Sequence, residues 1–135
     1  MASETVGRIG AGLLVYLGAG KEDREQDADW MAGKLCGLRV FAEGEGRMSR
    51  DVVESGGGVL VVSQFTLYGD VRKGRRPSFD AAADPERARE LYEAVCKHLA
   101  QRGVPVQTGR FRAMMEVHCT VDGPVTILID SEKRF

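Results

Sequence analysis

The run Val59-Leu-Val-Val62 constrains this chain more than any other feature. Four consecutive apolar residues, three of them β-branched, suit a strand buried on both faces, because alternation disappears where neither face meets water. Gly56, Gly57 and Gly58 precede it and are too flexible to continue any element. Polarity then changes within one step, as Ser63, Gln64 and Thr66 alternate with Phe65 and Leu67. The strand is expected to leave its core and end in hydroxyl and amide groups at the rim of a rigid sheet. Open α/β sheets bind ligands at such strand ends. Two readings fit on local chemistry alone: Ser63 and Thr66 contact a ligand, or they satisfy backbone groups where the strand stops.

The rest of the chain reads as elements around that strand. Residues 6–9 and 13–17 form two short apolar runs bounded by Gly10, Gly12 and Gly18, and both are expected to be strands. Asp23 followed by Gln26 has the spacing of a helix capping box. Ala28, Met31, Ala32, Leu35 and Leu38 then recur on one helical face, with Trp30 off the stripe and expected against a neighbouring element or a partner chain. Residues 39–41 suit a short strand, and residues 43–47, with Gly44 and Gly46, a turn. A second helix is punctuated at both ends: Asp84 caps it, Pro85 takes the first turn, and Gly103 with Pro105 stops it. Its apolar face is Ala88, Leu91, Tyr92, Val95 and Leu99. Residues 104–108 read as a strand. Met115, Val117, Cys119 and Val121 alternate with Glu116, His118 and Thr120, the pattern of a half-buried strand. Asp122-Gly123-Pro124 breaks it, and residues 125–130 form a last strand.

At 135 residues, with 43% apolar and 29% charged residues, the chain has the length and composition of one soluble globular domain spanning residues 1–135. A net charge of −1 argues against a protein that coats nucleic acid non-specifically. No apolar run approaches a membrane span, and residues 1–10 lack the layout of a signal peptide. Cys36, Cys96 and Cys119 are odd in number and contain no C-x-x-C pair, which fits reduced thiols in a cytoplasmic protein. Against this nearly neutral background, Arg72, Lys73, Arg75 and Arg76 gather around Gly74 just beyond the polar strand end. Such a loop either contacts phosphate or is simply solvated, and its position favours phosphate.

No catalytic set of side chains emerges. There is no serine–histidine–carboxylate spacing, no metal-ligand motif and no glycine-rich nucleotide loop, so neither metal nor cofactor is expected. His98 and His118 are assigned no role. The residues alone lead to a single α/β domain with a polar strand end beside a basic loop.

Ser63-Gln-Phe-Thr-Leu67, Arg72-Lys-Gly-Arg-Arg-Pro-Ser-Phe79 and Gly123-Pro-Val-Thr126 together resemble the D-aminoacyl-tRNA deacylase family. The resemblance runs from about Val6 to Asp130 and includes Asp27-Ala-Asp-Trp30 and Thr108-Gly-Arg-Phe111, in the family's order and spacing. It implies a layered β/β/α single domain of mixed sheets with two main helices. It also implies hydrolysis of the ester joining a D-amino acid, or glycine, to the terminal adenosine of tRNA, with L-amino acids excluded. By motif, Phe65 and Thr66 would supply the catalytic groups, and Ser63 and Gln64 would line the substrate site. Gly123 and Pro124 would enter the site of the other subunit of a homodimer as a Gly-cisPro pair. Arg72, Lys73, Arg75 and Arg76 would meet tRNA phosphates. Thr66 acts in one account as a nucleophile. In the other, the tRNA 2′-hydroxyl helps to activate water, and the lack of a nearby base in sequence favours this second account.

The chain departs from the family pattern in three places. Met1–Thr5 stands where an additional strand with an arginine bracing the Gly-Pro pair is expected, Arg112 where glycine is common, and Val121 where asparagine is common. Two alternatives share the fold: a non-catalytic RNA-binding or interaction protein, and a deacylase whose Gly-Pro bond is trans and whose chiral choice is relaxed.

Overall fold

The computed structural model describes residues 4–44 and 46–135. Its centre is the expected strand, β4 (Gly58–Ser63), flanked by β1 (Gly12–Leu17) and β5 (Val106–Thr108) in a three-stranded parallel sheet of order β1-β4-β5. The register pairs Gly12 with Gly58 and Leu17 with Ser63 on one side, and Val59 with Val106 on the other. Val59, Val61 and Val62 are buried, so β4 is covered on both faces, as an unbroken β-branched run requires.

Two long helices supply the main core. α1 (Glu25–Gly37) contributes Ala28, Ala32, Leu35 and Cys36, and α3 (Pro85–Gln101) contributes Leu91, Tyr92, Val95 and Leu99. The residues repeat every three to four positions, so each helix buries one stripe against Val59 and Val61. Asp84 caps α3 through the Arg87 N–H at 3.0 Å, Pro85 occupies its first turn, and Gly103 ends it at φ 84°. The expected start of α1 is displaced. Arg24, not Asp23, is its N-cap, and the Asp27 carboxylate accepts from the Arg24 N–H at 2.8 Å. Leu38, expected on the stripe, lies just past the helix. Trp30 is half-buried and covered from its own helix by the Lys34 ammonium, 5.4 Å from the ring centre.

A hairpin of β2 (Phe41–Glu43) and β3 (Arg47–Arg50) turns at Gly44 and Gly46, both at positive φ. It leads into a short helix, α2 (Val52–Ser55), that the sequence reading overlooks although Asp51-Val-Val-Glu54 has capping-box spacing. The Asp51 carboxylate accepts from the Glu54 N–H at 2.8 Å, and Glu54 accepts from the Asp51 N–H at 2.9 Å.

Three expected strands do not form ladders. Residues 6–9, 115–121 and 125–130 run without strand pairing among the described residues. Alternation specifies which side chains share a face, but a strand also needs a neighbour for its N–H and C=O groups. Val117, Val121, Val125, Ile127 and Leu128 are exposed, so the alternation finds no core within this chain. Ile129 and Phe111 do turn inward and pack against the core.

Candidate active site

β4 stops at Ser63 and the chain folds over into a single 3-10 turn, Phe65–Tyr68. The polar alternation expected to prolong the strand is instead spent on this turn. The Gln64 N–H donates to the Leu17 carbonyl at 2.8 Å, the last bond to the sheet, and the Leu67 N–H donates back to the Gln64 carbonyl at 3.3 Å. The first amides of a 3-10 turn precede any carbonyl that closes a ring on them. The Phe65 and Thr66 N–H groups hold that position, and neither has a partner among the described residues. Both residues are exposed. Two backbone donors without a partner among the described residues thus lie on an exposed turn bonded to the central sheet.

The Thr66 hydroxyl accepts a short hydrogen bond from the Gln64 side-chain amide. An amide is no base in either orientation, and no histidine or carboxylate bonds to Thr66 among the described residues. His118 bonds to Glu116 at 3.2 Å on an exposed segment. His98, for which the sequence showed no partner, lies between Glu25 at 2.8 Å and Asp29 at 3.5 Å, joining α3 to α1. A cavity of about 70 Å³ lies beside the strand end, lined in part by Ser63, Tyr68, Asp23 and Asp130. Ser63 lines it, whereas Gln64, Phe65 and Thr66 do not.

The basic segment follows as a closed loop. Asp70 and Ser78 exchange backbone bonds at 2.7 and 2.9 Å, holding residues 70–78 as one unit. The Arg72 guanidinium grips the Asp70 carboxylate through two bonds, at 2.9 and 2.6 Å. That side-chain bond, aided by the Arg72 N–H, holds the Asp70 carboxyl down at about 2. The Arg72 fork is therefore occupied within the loop, whereas Lys73, Arg75 and Arg76 are exposed and have no ion pair among the described residues. Phe79, just past the loop, meets Phe65 edge-on.

The Gly123–Pro124 peptide bond is cis and exposed. Gly123 has φ 123°, and a Cβ there would stand 2.8 Å from Val125 Cγ2, so only glycine fits. No hydrogen bond among the described residues joins this pair to residues 63–66 of the same chain, and the cavity includes neither residue. Sequence reading misses Tyr68 and Asp23 as supports of the turn. Tyr68 lies in the singled-out stretch, but its partner precedes it by 45 residues.

A parallel sheet that ends in two N–H groups without a partner, and in a hydroxyl with no base bonded to it, among the described residues, suits stabilisation of a developing oxyanion by main-chain donors. Comparison with known proteins identifies the family. A family profile described as D-Tyr-tRNA(Tyr) deacylase matches residues 1–130. The D-aminoacyl-tRNA deacylase of Symbiobacterium thermophilum is 57% identical over 135 residues, covering 100% of this chain and 89% of that protein. That of Thermus aquaticus is 54% identical over 134 residues, covering 99% and 88%. A solved structure titled c-Myc DNA Unwinding Element Binding Protein superposes with a TM-score of 0.82 at 38% identity, over 88% of this chain and 81% of that one. A probable eukaryotic D-amino acid tRNA deacylase shares the fold, with a TM-score of 0.68 at 18% identity over 84% and 81%. The chain belongs to the D-Tyr-tRNA(Tyr) deacylase family.

Proposed function

We propose that this protein hydrolyses the ester of D-aminoacyl-tRNA, and of glycyl-tRNA, releasing the free amino acid and leaving L-aminoacyl-tRNA intact. Water attacks the ester carbonyl, the bond to the terminal ribose oxygen breaks, and a proton passes to that oxygen. The observation that carries the reading is the pair of N–H groups at Phe65 and Thr66 that have no partner among the described residues. Charge builds on the carbonyl oxygen in the transition state, and fixed backbone donors stabilise it without reorganising. Ser63 and Gln64 line the substrate side. The 2′-hydroxyl of the terminal adenosine assists the water. The Thr66 hydroxyl is not the nucleophile, because its partner is an amide with no capacity to remove its proton.

Chiral choice falls to Gly123 and Pro124 of the partner subunit in a homodimer, whose backbone leaves no space for an L side chain. Exposure of Val117, Val121, Val125, Ile127 and Leu128, on the segment that carries the pair, supports burial of this face against a second copy. Lys73, Arg75 and Arg76 meet tRNA phosphates, and the work belongs in the cytoplasm, where tRNA is charged. No helix among the described residues is long and apolar enough to cross a membrane.

The test compares Thr66→Ala, and a tRNA ending in 2′-deoxyadenosine, with the unmodified pair. Thr66→Ala should keep activity within about tenfold, whereas loss of a nucleophile costs several orders of magnitude. The deoxy substrate should react very slowly. Its normal turnover together with a dead Thr66→Ala would assign the chemistry to the threonine.

A further inference from the structure

The turn that carries Phe65 and Thr66 rests on a platform made by Gly18, Ala19 and Gly20. A Cβ at Gly18 would stand 3.2 Å from the Gln64 carbonyl oxygen, 3.2 Å from Tyr68 Cε2 and 3.3 Å from Leu67 Cβ. A Cβ at Gly20 would stand 2.8 Å from the Tyr68 phenol oxygen, 3.1 Å from Cζ and 3.2 Å from Cε1. Tyr68 therefore lies against bare backbone: a Cβ at Gly20 would have to shift the phenol, and one at Gly18 would crowd the turn. The platform itself is tied down. The Lys21 N–H donates to the Ala81 carbonyl at 3.0 Å, and the Ala83 N–H to the Ala19 carbonyl at 2.9 Å. The Gly20 N–H donates to the Asp23 carboxylate at 2.7 Å.

We infer that Tyr68 is a positioning residue: its ring, seated on Gly18 and Gly20 with its phenol directed to Asp23, sets where the Phe65 and Thr66 N–H groups point. The phenol oxygen is 3.5 Å from the same Asp23 oxygen that receives the Gly20 N–H, a long contact that orients the phenol while the glycines seat the ring. Burial, with Asp23 and Asp130 nearby, pushes the Tyr68 phenol up to about 12, so it stays protonated and can only donate toward Asp23. The ring is part of the turn whose amides act, so displacing it re-aims those amides. The platform is bonded on its far side, so an added methyl at Gly20 moves the ring and not the glycine.

This inference rests on the proposed oxyanion role, and the experiment separates the two. Gly20→Ala should lower kcat for D-tyrosyl-tRNA about tenfold to a hundredfold with KM nearly unchanged, because the donors act on the transition state. Adding Tyr68→Phe to Gly20→Ala removes the atom nearest the new methyl, leaving Cζ and Cε1 at 3.1 and 3.2 Å, and should recover part of that kcat. Tyr68→Phe alone keeps the seated ring and should lose little. Unchanged kcat in Gly20→Ala, a loss expressed mainly in KM, or a double variant no better than Gly20→Ala would overturn the assignment. Amide hydrogen exchange reports placement independently of any deacylation. Tyr68→Ala should speed exchange at Leu67 and Gly69, whose N–H groups close the turn onto Gln64 and Thr66, with α3 unaffected. If the native protein proves inactive on tRNA esters, the functional reading fails, and exchange alone decides the positioning role: unchanged protection at both amides would refute it.

Discussion

Phe65 and Phe79 meet edge to face, their ring centres 5.0 Å apart and their planes inclined at 66°. Phe65 belongs to the turn whose first two amides have no partner among the described residues, and Phe79 directly follows the closed basic loop. The pair joins the surface proposed to hold tRNA phosphates to the group proposed to stabilise the reacting carbonyl. Gly69 lies beside Phe79, where a Cβ would stand 3.2 Å from Phe79 Cε1 and 3.0 Å from the Thr66 carbonyl oxygen.

Phe79→Ala should cost about 1 kcal/mol of unfolding free energy for the ring pair itself, in addition to the burial that the half-buried ring gives up. Against a typical stability of about 5–15 kcal/mol the chain stays folded. A fall in kcat measured beside a urea melt at the same temperature therefore reports displacement of Phe65. Unchanged kcat would mean that the two surfaces act independently.

Arg75 and Arg76 are exposed and carry no ion pair among the described residues, whereas Arg72 is gripped by Asp70. Replacing Arg75 and Arg76 with glutamine should weaken tRNA binding and flatten its dependence on salt, by about one unit of slope for each phosphate no longer neutralised. Arg72→Gln should change that slope less, and none of the three should alter the preference for D over L. An unchanged slope in the Arg75/Arg76 variant would mark the loop as a solvated surface.

The Asp70 carboxyl is held at about 2 against an ordinary 3.8 by its bond to Arg72. Its folded value is depressed, so its contribution to loop closure is complete above pH 3.8 and is lost as pH falls through about 2. The carboxyl carbon, followed by NMR, should titrate near 2 in the native protein and nearer 3.8 in Arg72→Gln. A native midpoint at the ordinary value would show that the pair does not persist in solution.

The parts of this fold that local chemistry punctuates are legible in the sequence. β4 is announced by its glycines and β-branched run, and α3 by Asp84, Pro85 and Gly103. The segments at 115–121 and 125–130 mislead for the opposite reason, since alternation names a face and says nothing about a partner strand. Residues 63–67 alternate like a strand, yet β4 ends at Ser63 and the chain then turns, with Gln64 at φ −144°, ψ 86° as the cap of the turn. They remain candidate site residues despite that difference, because hydrogen-bonding groups at the end of a buried strand are exposed whichever way the chain turns next. The role of Gly18 and Gly20 is hidden, since it depends on Tyr68, close in space but far along the chain. Asp23 looks like a helix cap and is instead the carboxylate beside that phenol.

The central claim is hydrolysis of D-aminoacyl-tRNA with L-aminoacyl-tRNA excluded, and one assay bears on it directly. Purified protein is mixed with tRNA carrying radiolabelled D-tyrosine or L-tyrosine, and the ester remaining is counted over time. The account predicts rapid release of D-tyrosine while L-tyrosyl-tRNA decays no faster than it does in buffer. Equal release of both would contradict the exclusion proposed for Gly123 and Pro124, and release of neither would contradict the hydrolytic role itself.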